Sequence, residues 1–263
     1  MTVSEVLRLA ERELAAAGVD TPRVDAELLL AHVLGTSRSG VYAQADAEVP
    51  GRYQVLLGRR LKREPLAYVL GEWGFRRLVL KTDARALVPR PETEIVVERC
   101  LALLRGEREP RVVDVGTGTG AIALAIADEH PGARVTAVDM SQEAVALARE
   151  NAERLQLDVD LRVGGLDAAA EGWDLVVSNP PYVLPDEWDT LQPEIRDWEP
   201  RDALVGVGLH EELARLSRTS LLVLETHECQ AADVAQTLEA HGYTDVRVTA
   251  DLAGRPRVVE GRR

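Results

Sequence analysis

The sequence predicts an α/β protein, in which an open Rossmann-like sheet with helices on both faces is joined by a β-hairpin to a small N-terminal helical domain. Three features support this prediction. Helical patterns fill the first part of the chain, two short strand-like runs follow, and apolar strands then alternate with amphipathic helices. The length of 263 residues allows one large domain or two modest ones.

The N-terminal helices are predicted between glycine and proline residues. Apolar residues recur at helical spacing over 3–14, and Gly18 ends that pattern. Two further helical runs cover 25–34 and 53–62. Because these runs show no strand-like alternation, we expect residues 1–72 to form a helical domain.

The sequence pattern changes from helical to strand-like after residue 72. The runs 73–75 and 78–80 indicate two short strands, so a hairpin linker is predicted over 73–88. The remaining residues, 89–263, are predicted to form the sheet domain. Its strands are expected at 112–115, 134–138, 173–177, 221–224, 246–248 and 257–259. Its helices are expected at 92–104, 121–128, 141–155 and 231–241, with a short one before 221.

Composition excludes several classes of protein. The chain has 31 basic and 44 acidic residues, a net charge of −13, which disfavours a broad basic face for nucleic acid. Two isolated cysteines, Cys100 and Cys229, argue against a disulfide framework or a metal site. No apolar run approaches the roughly 20 residues of a membrane span, and no signal peptide is expected at the start. We therefore expect a cytoplasmic protein without metal, membrane or direct nucleic-acid contacts. A monomer is also expected, although composition does not decide the oligomeric state.

A glycine-rich turn follows the first strand of the predicted sheet and opens a helix. Glycines permit a tight turn and close approach of a ligand near the positive end of that helix. Nineteen residues beyond Gly120, Asp139 ends the next strand, where it can accept hydrogen bonds from ribose hydroxyls. The predicted nucleotide-binding residues are Gly116, Thr117, Gly118, Thr119, Gly120 and Asp139.

The spacing of this turn distinguishes two ligands. Asp-x-Gly-x-Gly-x-Gly resembles the first motif of class I S-adenosylmethionine-dependent methyltransferases more than the Gly-x-Gly-x-x-Gly of dehydrogenases. Asp114 would repel a pyrophosphate but could meet the cationic amino end of a methionine. The alternative is that Asp114 caps the loop or the helix.

Residues Asn179-Pro180-Pro181-Tyr182 follow the strand at 173–177. Two prolines enforce an extended backbone without N–H donors. The Asn179 side-chain oxygen and the Pro180 carbonyl can accept both N–H bonds of a planar NH2 group, and Tyr182 can pack against that group. Such acceptors orient a nitrogen that is a poor nucleophile, so methyl transfer then requires mainly positioning.

Asn-Pro-Pro-Tyr resembles the signature shared by DNA adenine-N6 and glutamine-N5 methyltransferases. The segment 87–94, Leu-Val-Pro-Arg-Pro-Glu-Thr-Glu, resembles a block of the HemK family, the release factor glutamine methyltransferases. Segments 194–204 and 251–259 resemble two further blocks of that family. The resemblance covers essentially the whole chain.

This resemblance implies a class I methyltransferase sheet and methyl transfer from S-adenosylmethionine to the glutamine N5 of the Gly-Gly-Gln loop in peptide chain release factors. It implies that the turn 116–120, Asp139 and Asn179 bind the cofactor, and that residues 179–182 form the substrate pocket, with Asn179, Pro180 and Tyr182 catalytic. Leu166 aligns with a residue lining the adenine, although a plain core or loop role is equally open. The helical domain would help to bind the release factor.

Two alternatives to this function remain open on the sequence. An exocyclic amine in DNA or RNA is the competing substrate, against which the acidic balance and the lack of a separate target-recognition domain count. A non-catalytic scaffold is supported only by the segment between Leu204 and Leu221, which is shorter than the family's. His227 is expected to pack in the core or a loop rather than to catalyse. The Arg59-Arg60 and Arg76-Arg77 pairs are expected to lie on a solvated face, the alternative being contact with an acidic partner.

Overall fold

The computed structural model describes residues 2–263, which form two compact units. One unit contains the residues up to Glu72 together with the segment Gln192–Trp198. The other contains Trp73–Leu191 and Glu199–Arg263. Within residues 2–263, no helix is both long and apolar enough to cross a membrane.

The first unit is helical. A capping box begins its first helix, because the Thr2 hydroxyl accepts from the Glu5 N–H and the Glu5 carboxylate accepts from the Thr2 N–H. Its core contains the fully buried side chains of Leu14, Leu29 and Tyr53. The helices up to Leu70 are α1 (Val3–Ala16), α2 (Pro22–Leu34), α3 (Gly40–Ala43), α4 (Arg52–Leu61) and α5 (Leu66–Leu70).

A two-stranded sheet follows, formed by β1 (Glu72–Phe75) and β2 (Leu78–Lys81), and all of its residues except Glu72 belong to the second unit. The second unit continues as an α/β sheet domain. The remaining strands are β3 (Arg111–Val115), β4 (Arg134–Asp139), β5 (Asp160–Val163), β6 (Leu175–Ser178), β7 (Leu221–Glu225), β8 (Thr244–Ala250) and β9 (Pro256–Arg262). The remaining helices of the chain are α6 (Glu94–Leu103), α7 (Ala121–Glu129), α8 (Gln142–Leu155), α9 (Pro193–Arg196, in the helical unit), α10 (Leu209–Leu216) and α11 (Ala231–Ala240).

The central sheet has seven strands in the order β5-β4-β3-β6-β7-β9-β8. The strands from β5 to β7 are parallel, whereas β9 runs antiparallel to both β7 and β8. The chain moves outward from β3 to β4 and β5 and then returns to β6 on the other side of β3. This reversal makes the C-terminal ends of β3 and β6 a topological switch point, where open α/β sheets bind ligands.

Helices cover both faces of this sheet, as the sequence predicts. Successive strand residues point to opposite faces, so Val112 joins one apolar cluster and Val113 joins the other. Helices α6 and α7 contribute to the first cluster, and α10 and α11 contribute to the second. The sheet is therefore packed on both faces, and the loops that leave its C-terminal edge start from this packed layer.

Candidate active site

The glycine turn lies at the end of β3 and is held to the neighbouring strand. The Gly116 and Thr117 N–H groups both donate to the Val138 carbonyl, at 2.8 and 3.0 Å. Gly120 has a φ of +85°, and a Cβ there would lie 2.9 Å from the Leu124 Cδ1 atom. A side chain at position 120 would therefore be strained and would also clash with α7.

Asp139 organises the same turn from the end of β4. Its Oδ2 atom accepts from the Gly118 N–H at 2.9 Å, and its Oδ1 atom accepts from the Ser141 N–H at 2.9 Å. The Gly164 N–H donates to the Asp139 backbone carbonyl at 3.0 Å, which places the segment leading to Leu166 beside it. Leu166 begins a 3-10 turn and packs, partly buried, against the core.

Asp114 is fully buried below the turn, and its contacts are those of a cap. Its Oδ2 atom accepts from the Thr117 hydroxyl at 2.7 Å and from the Ala123 N–H at 3.3 Å. Burial raises the pKa of Asp114 to about 7, although these two hydrogen bonds favour the ionised form. Its Oδ1 atom has no hydrogen-bond partner among the residues the structure describes.

The second predicted motif leaves β6 directly beside the glycine turn. Ser178, the last residue of β6, is paired with Val115 in the register of the sheet, and its hydroxyl donates to the Val115 carbonyl at 2.6 Å. Asn179 directly follows β6, and Gly116 directly follows β3. The structure therefore brings the two predicted motifs together at the switch point of the sheet.

The loop after Asn179 is fixed by contacts that the sequence did not reveal. The Val183 N–H donates to the Leu204 carbonyl at 2.9 Å, and the Gly206 N–H donates to the Val183 carbonyl at 3.2 Å. A Cβ on Gly206 would lie 2.7 Å from the Pro181 carbonyl oxygen. Position 206 therefore has to be glycine for the Pro-Pro segment to keep this path.

Tyr182 is the partly buried last residue of the Asn-Pro-Pro-Tyr segment. Burial is the main cause that raises the pKa of its phenol to about 12. Its backbone carbonyl accepts from the Gln230 side chain at 3.0 Å, and its ring centroid lies 6.3 Å from that of His227. The His227 Nδ1 atom faces the Cys229 N–H at 3.4 Å. These contacts of His227 are those of packing and of a turn.

Two buried residues beside Asn179 were missed by the sequence analysis. The Asn179 Nδ2 atom donates to the Thr93 hydroxyl at 3.4 Å, and this hydroxyl favours the ionised form of the Glu225 carboxyl. Thr93 and Glu225 are 5% and 1% exposed. Thr93 lies in the Pro-Arg-Pro-Glu-Thr-Glu block, which was the available signal, whereas an acid ending an apolar strand carries no distinctive pattern.

Within the second unit, residues from the three segments that resemble family blocks contact one another near this site. Arg90 forms an ion pair with the buried Glu199, whose other oxygen accepts from the Val88 N–H at 3.0 Å. Arg255 lies 3.3 Å from Glu92. Segments that are distant in the sequence therefore form one charged frame around the buried Thr93.

The basic pairs differ from expectation at Arg60 and Arg76, whereas the Arg77 side chain is exposed. Arg60 is 5% exposed and forms an ion pair with Asp25 at 2.7 Å, so the prediction of a solvated face is wrong for this residue. Arg59 and Arg76 also form ion pairs, with Glu64 and Glu129. Arg59, Arg60 and Arg76 therefore serve to form ion pairs within the protein. In the part of the chain that the structure describes, no group of three or more His, Cys, Asp or Glu side chains could hold a metal ion.

The structure resembles solved methyltransferases in fold. The Thermus thermophilus 16S rRNA N2 G1207 methyltransferase, solved with AdoMet and guanosine, aligns with a TM-score of 0.55 and 16% identity over 73% of this chain and 49% of its own. The human Mettl16 catalytic domain, solved with an RNA hairpin, aligns with a TM-score of 0.54 and 15% identity over 70% of this chain and 74% of its own. The fold prediction is thereby confirmed.

Sequence comparison identifies the family. The model of the PrmC N-terminal domain matches residues 5–71, and that of the methyltransferase small domain matches residues 93–191. The release factor glutamine methyltransferase of Deinococcus radiodurans is 41% identical over 100% of this chain and 99% of its own length. That of Streptomyces coelicolor is 39% identical over 100% of this chain and 98% of its own length. With both sequence motifs adjacent in the structure and relatives matched over their full length, the chain belongs to the release factor glutamine methyltransferase family.

Proposed function

We propose that this chain transfers a methyl group from S-adenosylmethionine to the side-chain amide N5 of the glutamine in the Gly-Gly-Gln motif of peptide chain release factors. The observation that carries the proposal is the adjacency of Asn179 and the glycine turn at the switch point, in a chain of this family. The proposal also takes residues 1–72 as a substrate-binding domain, 73–88 as a hairpin linker and 89–263 as the catalytic domain. A cytoplasmic monomer fits this role.

The residues at the turn fit S-adenosylmethionine. A Cβ built on Gly116 would meet nothing within 4 Å, so there is open space against the backbone of the turn. Among the described residues, no group hydrogen bonds to the buried Asp114 Oδ1 atom beneath the turn. Asp139 lies at the end of β4, where ribose hydroxyls are commonly bound. Residues 116–120 with Asp139, Leu166 and Asn179 would hold the cofactor, which when bound supplies a methyl group on a sulfonium.

Residues 179–182 act on the amide nitrogen. Its lone pair is delocalised into the carbonyl group, so the nitrogen attacks only when it is oriented and made more electron-rich. The Asn179 side-chain oxygen and the Pro180 carbonyl accept its two N–H bonds, while Pro181 and Tyr182 complete the pocket and exclude water. No strong base is needed beforehand, because the nitrogen becomes more acidic as it gains the methyl group.

The competing function is methylation of an exocyclic amine in nucleic acid. Asn-Pro-Pro-Tyr alone suits either planar NH2 group, so this motif does not discriminate between them. The family relationship over the whole chain and the net charge of −13 both favour the protein substrate.

Methylation of a purified release factor tests this proposal. The chain is incubated with S-adenosylmethionine and the release factor, and mass spectrometry of the Gly-Gly-Gln peptide is expected to show one added methyl group. Asn179→Ala should lower the rate on the order of 100-fold, because an orienting acceptor is lost. Gln236→Ala, at an exposed position on α11, is the control and should leave the rate unchanged. An unmodified peptide, with methyl appearing in adenine instead, would overturn the proposal.

A further inference from the structure

Glu225 is a buried acid that the mechanism above does not use. It ends β7, with its carboxyl inside the second unit and 1% of the residue exposed. Its Oε2 atom has no hydrogen-bond partner in residues 2–263, and the Thr93 hydroxyl favours the ionised form of the carboxyl. An acid kept in such a place costs stability, which calls for a functional reason.

The Thr93 hydroxyl connects this acid to Asn179. It favours the ionised form of the Glu225 carboxyl, which follows Leu224 just as Asn179 follows its register partner Ser178, and it lies 3.4 Å from the Asn179 Nδ2 atom. A hydroxyl has one proton, so it can donate to only one of these two neighbours. An ionised carboxylate can only accept, and the Thr93 proton must then point to Glu225. The Thr93 oxygen is left to accept from the Asn179 NH2 group.

We propose that Thr93 and Glu225 are positioning residues that hold the Asn179 amide with its NH2 group inward and its oxygen free for the substrate nitrogen. This inference rests on the proposed function for its consequence, because an amide substrate has to meet an acceptor at Asn179. In the reversed orientation, Asn179 would present N–H donors to the N–H bonds of the substrate. The direction of the hydrogen bond between Thr93 and Asn179 therefore decides whether the Asn179 side-chain amide presents an acceptor or a donor to the substrate.

The surroundings of Glu225 make this direction sensitive to pH. The charged and titratable groups that face it are Arg257, Arg90, Glu92, Tyr182 and His210. Burial raises the pKa of Glu225 to about 7, although the Thr93 hydroxyl and the Arg257 guanidinium favour the ionised form. A protonated Glu225 can donate to Thr93, which frees the Thr93 proton for the Asn179 oxygen and permits the reversed amide.

The first test observes the Asn179 side-chain amide in the free protein, without substrate. Its 1H–15N resonances, assigned with Asn179→Asp, are followed from pH 5 to pH 9. They should titrate with a midpoint near 7, and this dependence should vanish in Glu225→Gln and in Thr93→Val. Thr93→Ser, which keeps the hydroxyl, should restore it. Thr136→Val, at a buried position on β4, is the matched control and should titrate as the wild type does.

The second test measures single-turnover methylation of the release factor at saturating cofactor. Thr93→Val should slow the reaction on the order of 10-fold with little change in KM, while Thr93→Ser and Thr136→Val stay within about twofold of the wild type. The wild-type rate should fall as the pH drops below about 7, and Glu225→Gln should lack this acid limb.

The two tests fail separately. An Asn179 amide that ignores both pH and Thr93→Val overturns the positioning role, whatever the substrate is. The positioning role is also overturned if Glu225→Gln keeps the acid limb, because another group then titrates. An Asn179 amide that responds as expected in a protein that leaves the release factor unmethylated supports the positioning role and refutes the proposed function.

Discussion

Two buried carboxyl groups, Asp114 and Glu225, make the stability of the folded protein depend on pH. Burial raises the pKa of each to about 7. The folded protein therefore keeps protons that the unfolded chain has already lost between about pH 4.5 and pH 7. The contribution of each group to stability is fully present below its unfolded pKa and is lost as the pH rises through 7.

Replacing Glu225 removes one of these two contributions. As the pH rises from 5 to 8, the free energy of unfolding of the wild type should fall by about 2–3 kcal/mol relative to that of Glu225→Gln. This figure follows because each unit of pKa shift corresponds to about 1.4 kcal/mol. Urea denaturation at several pH values measures the difference. Glu150→Gln is the control, since Arg85 and Lys81 hold the pKa of Glu150 at about 2 and it stays ionised over this range. Parallel stability curves for Glu225→Gln and the wild type would contradict the assignment.

At the scale of single residues, the two site motifs could be predicted from the sequence, but the residues that contact and hold them could not. The turn at 116–120 and Asn179 were predicted because glycine spacing and Asn-Pro-Pro-Tyr are local patterns. Thr93, Glu225 and Gly206 were missed because their roles depend on contacts with residues far away in the chain. Asp114 shows the same limit, because the sequence left a capping role open and only the structure shows the Thr117 and Ala123 contacts.

At the scale of elements, the segment Gln192–Trp198 belongs to a different unit from the residues that flank it in the sequence. It follows the Asn-Pro-Pro-Tyr loop, yet it belongs to the helical unit. Glu194 in α9 accepts from Arg63 at 2.6 Å and lies 2.8 Å from Arg60. Burial opposes ionisation of Glu194, but these arginines outweigh it and hold its pKa below the ordinary value.

Removing this charge should loosen the helical unit. We expect Glu194→Gln to lower the free energy of local opening of α4 by about 1–3 kcal/mol, because Arg60 and Arg63 lose a largely buried partner. Amide hydrogen exchange over Arg52–Leu61 measures this effect.

The control for that experiment is an exposed ion pair. Asp160→Asn removes the charge that faces Arg162, where both side chains are about half exposed, and should change stability by less than about 0.5 kcal/mol. Unchanged exchange in α4 of the Glu194→Gln variant would show that the segment contributes nothing to the helical unit.

Element type was more predictable than element bounds. The regular helices and inner strands were predicted because their apolar periodicity is strong. Strand β5 was missed, since Asp160–Val163 is a mostly exposed edge strand without a buried face. Helices α3 and α5, of four and five residues, are too short to show a period. Helix α2 begins at Pro22 rather than 25, as proline suits the first turn of a helix.

For the molecule as a whole, the excess of acidic residues is the property that bears on its partners. The net charge of −13 was available from composition, but composition cannot show where the arginines lie. The structure shows that many of them are occupied by carboxylates, including Arg60, Arg76, Arg90 and Arg99. These carboxylates compete with a phosphate backbone for the paired arginines, and the acidic excess repels that backbone.

This charge distribution predicts that the chain does not bind nucleic acid even at low salt. Lowering the salt from about 150 mM to about 10 mM lengthens the screening distance from about 8 Å to about 30 Å, which strengthens repulsion as much as attraction. Mobility-shift assays with duplex DNA and an RNA hairpin should show no complex at either concentration. The human Mettl16 catalytic domain, which was solved with an RNA hairpin, serves as the positive control. A complex that forms at about 10 mM and dissociates at about 150 mM would reveal a local basic patch, because counterion release gives that salt dependence, and would restore the nucleic-acid alternative.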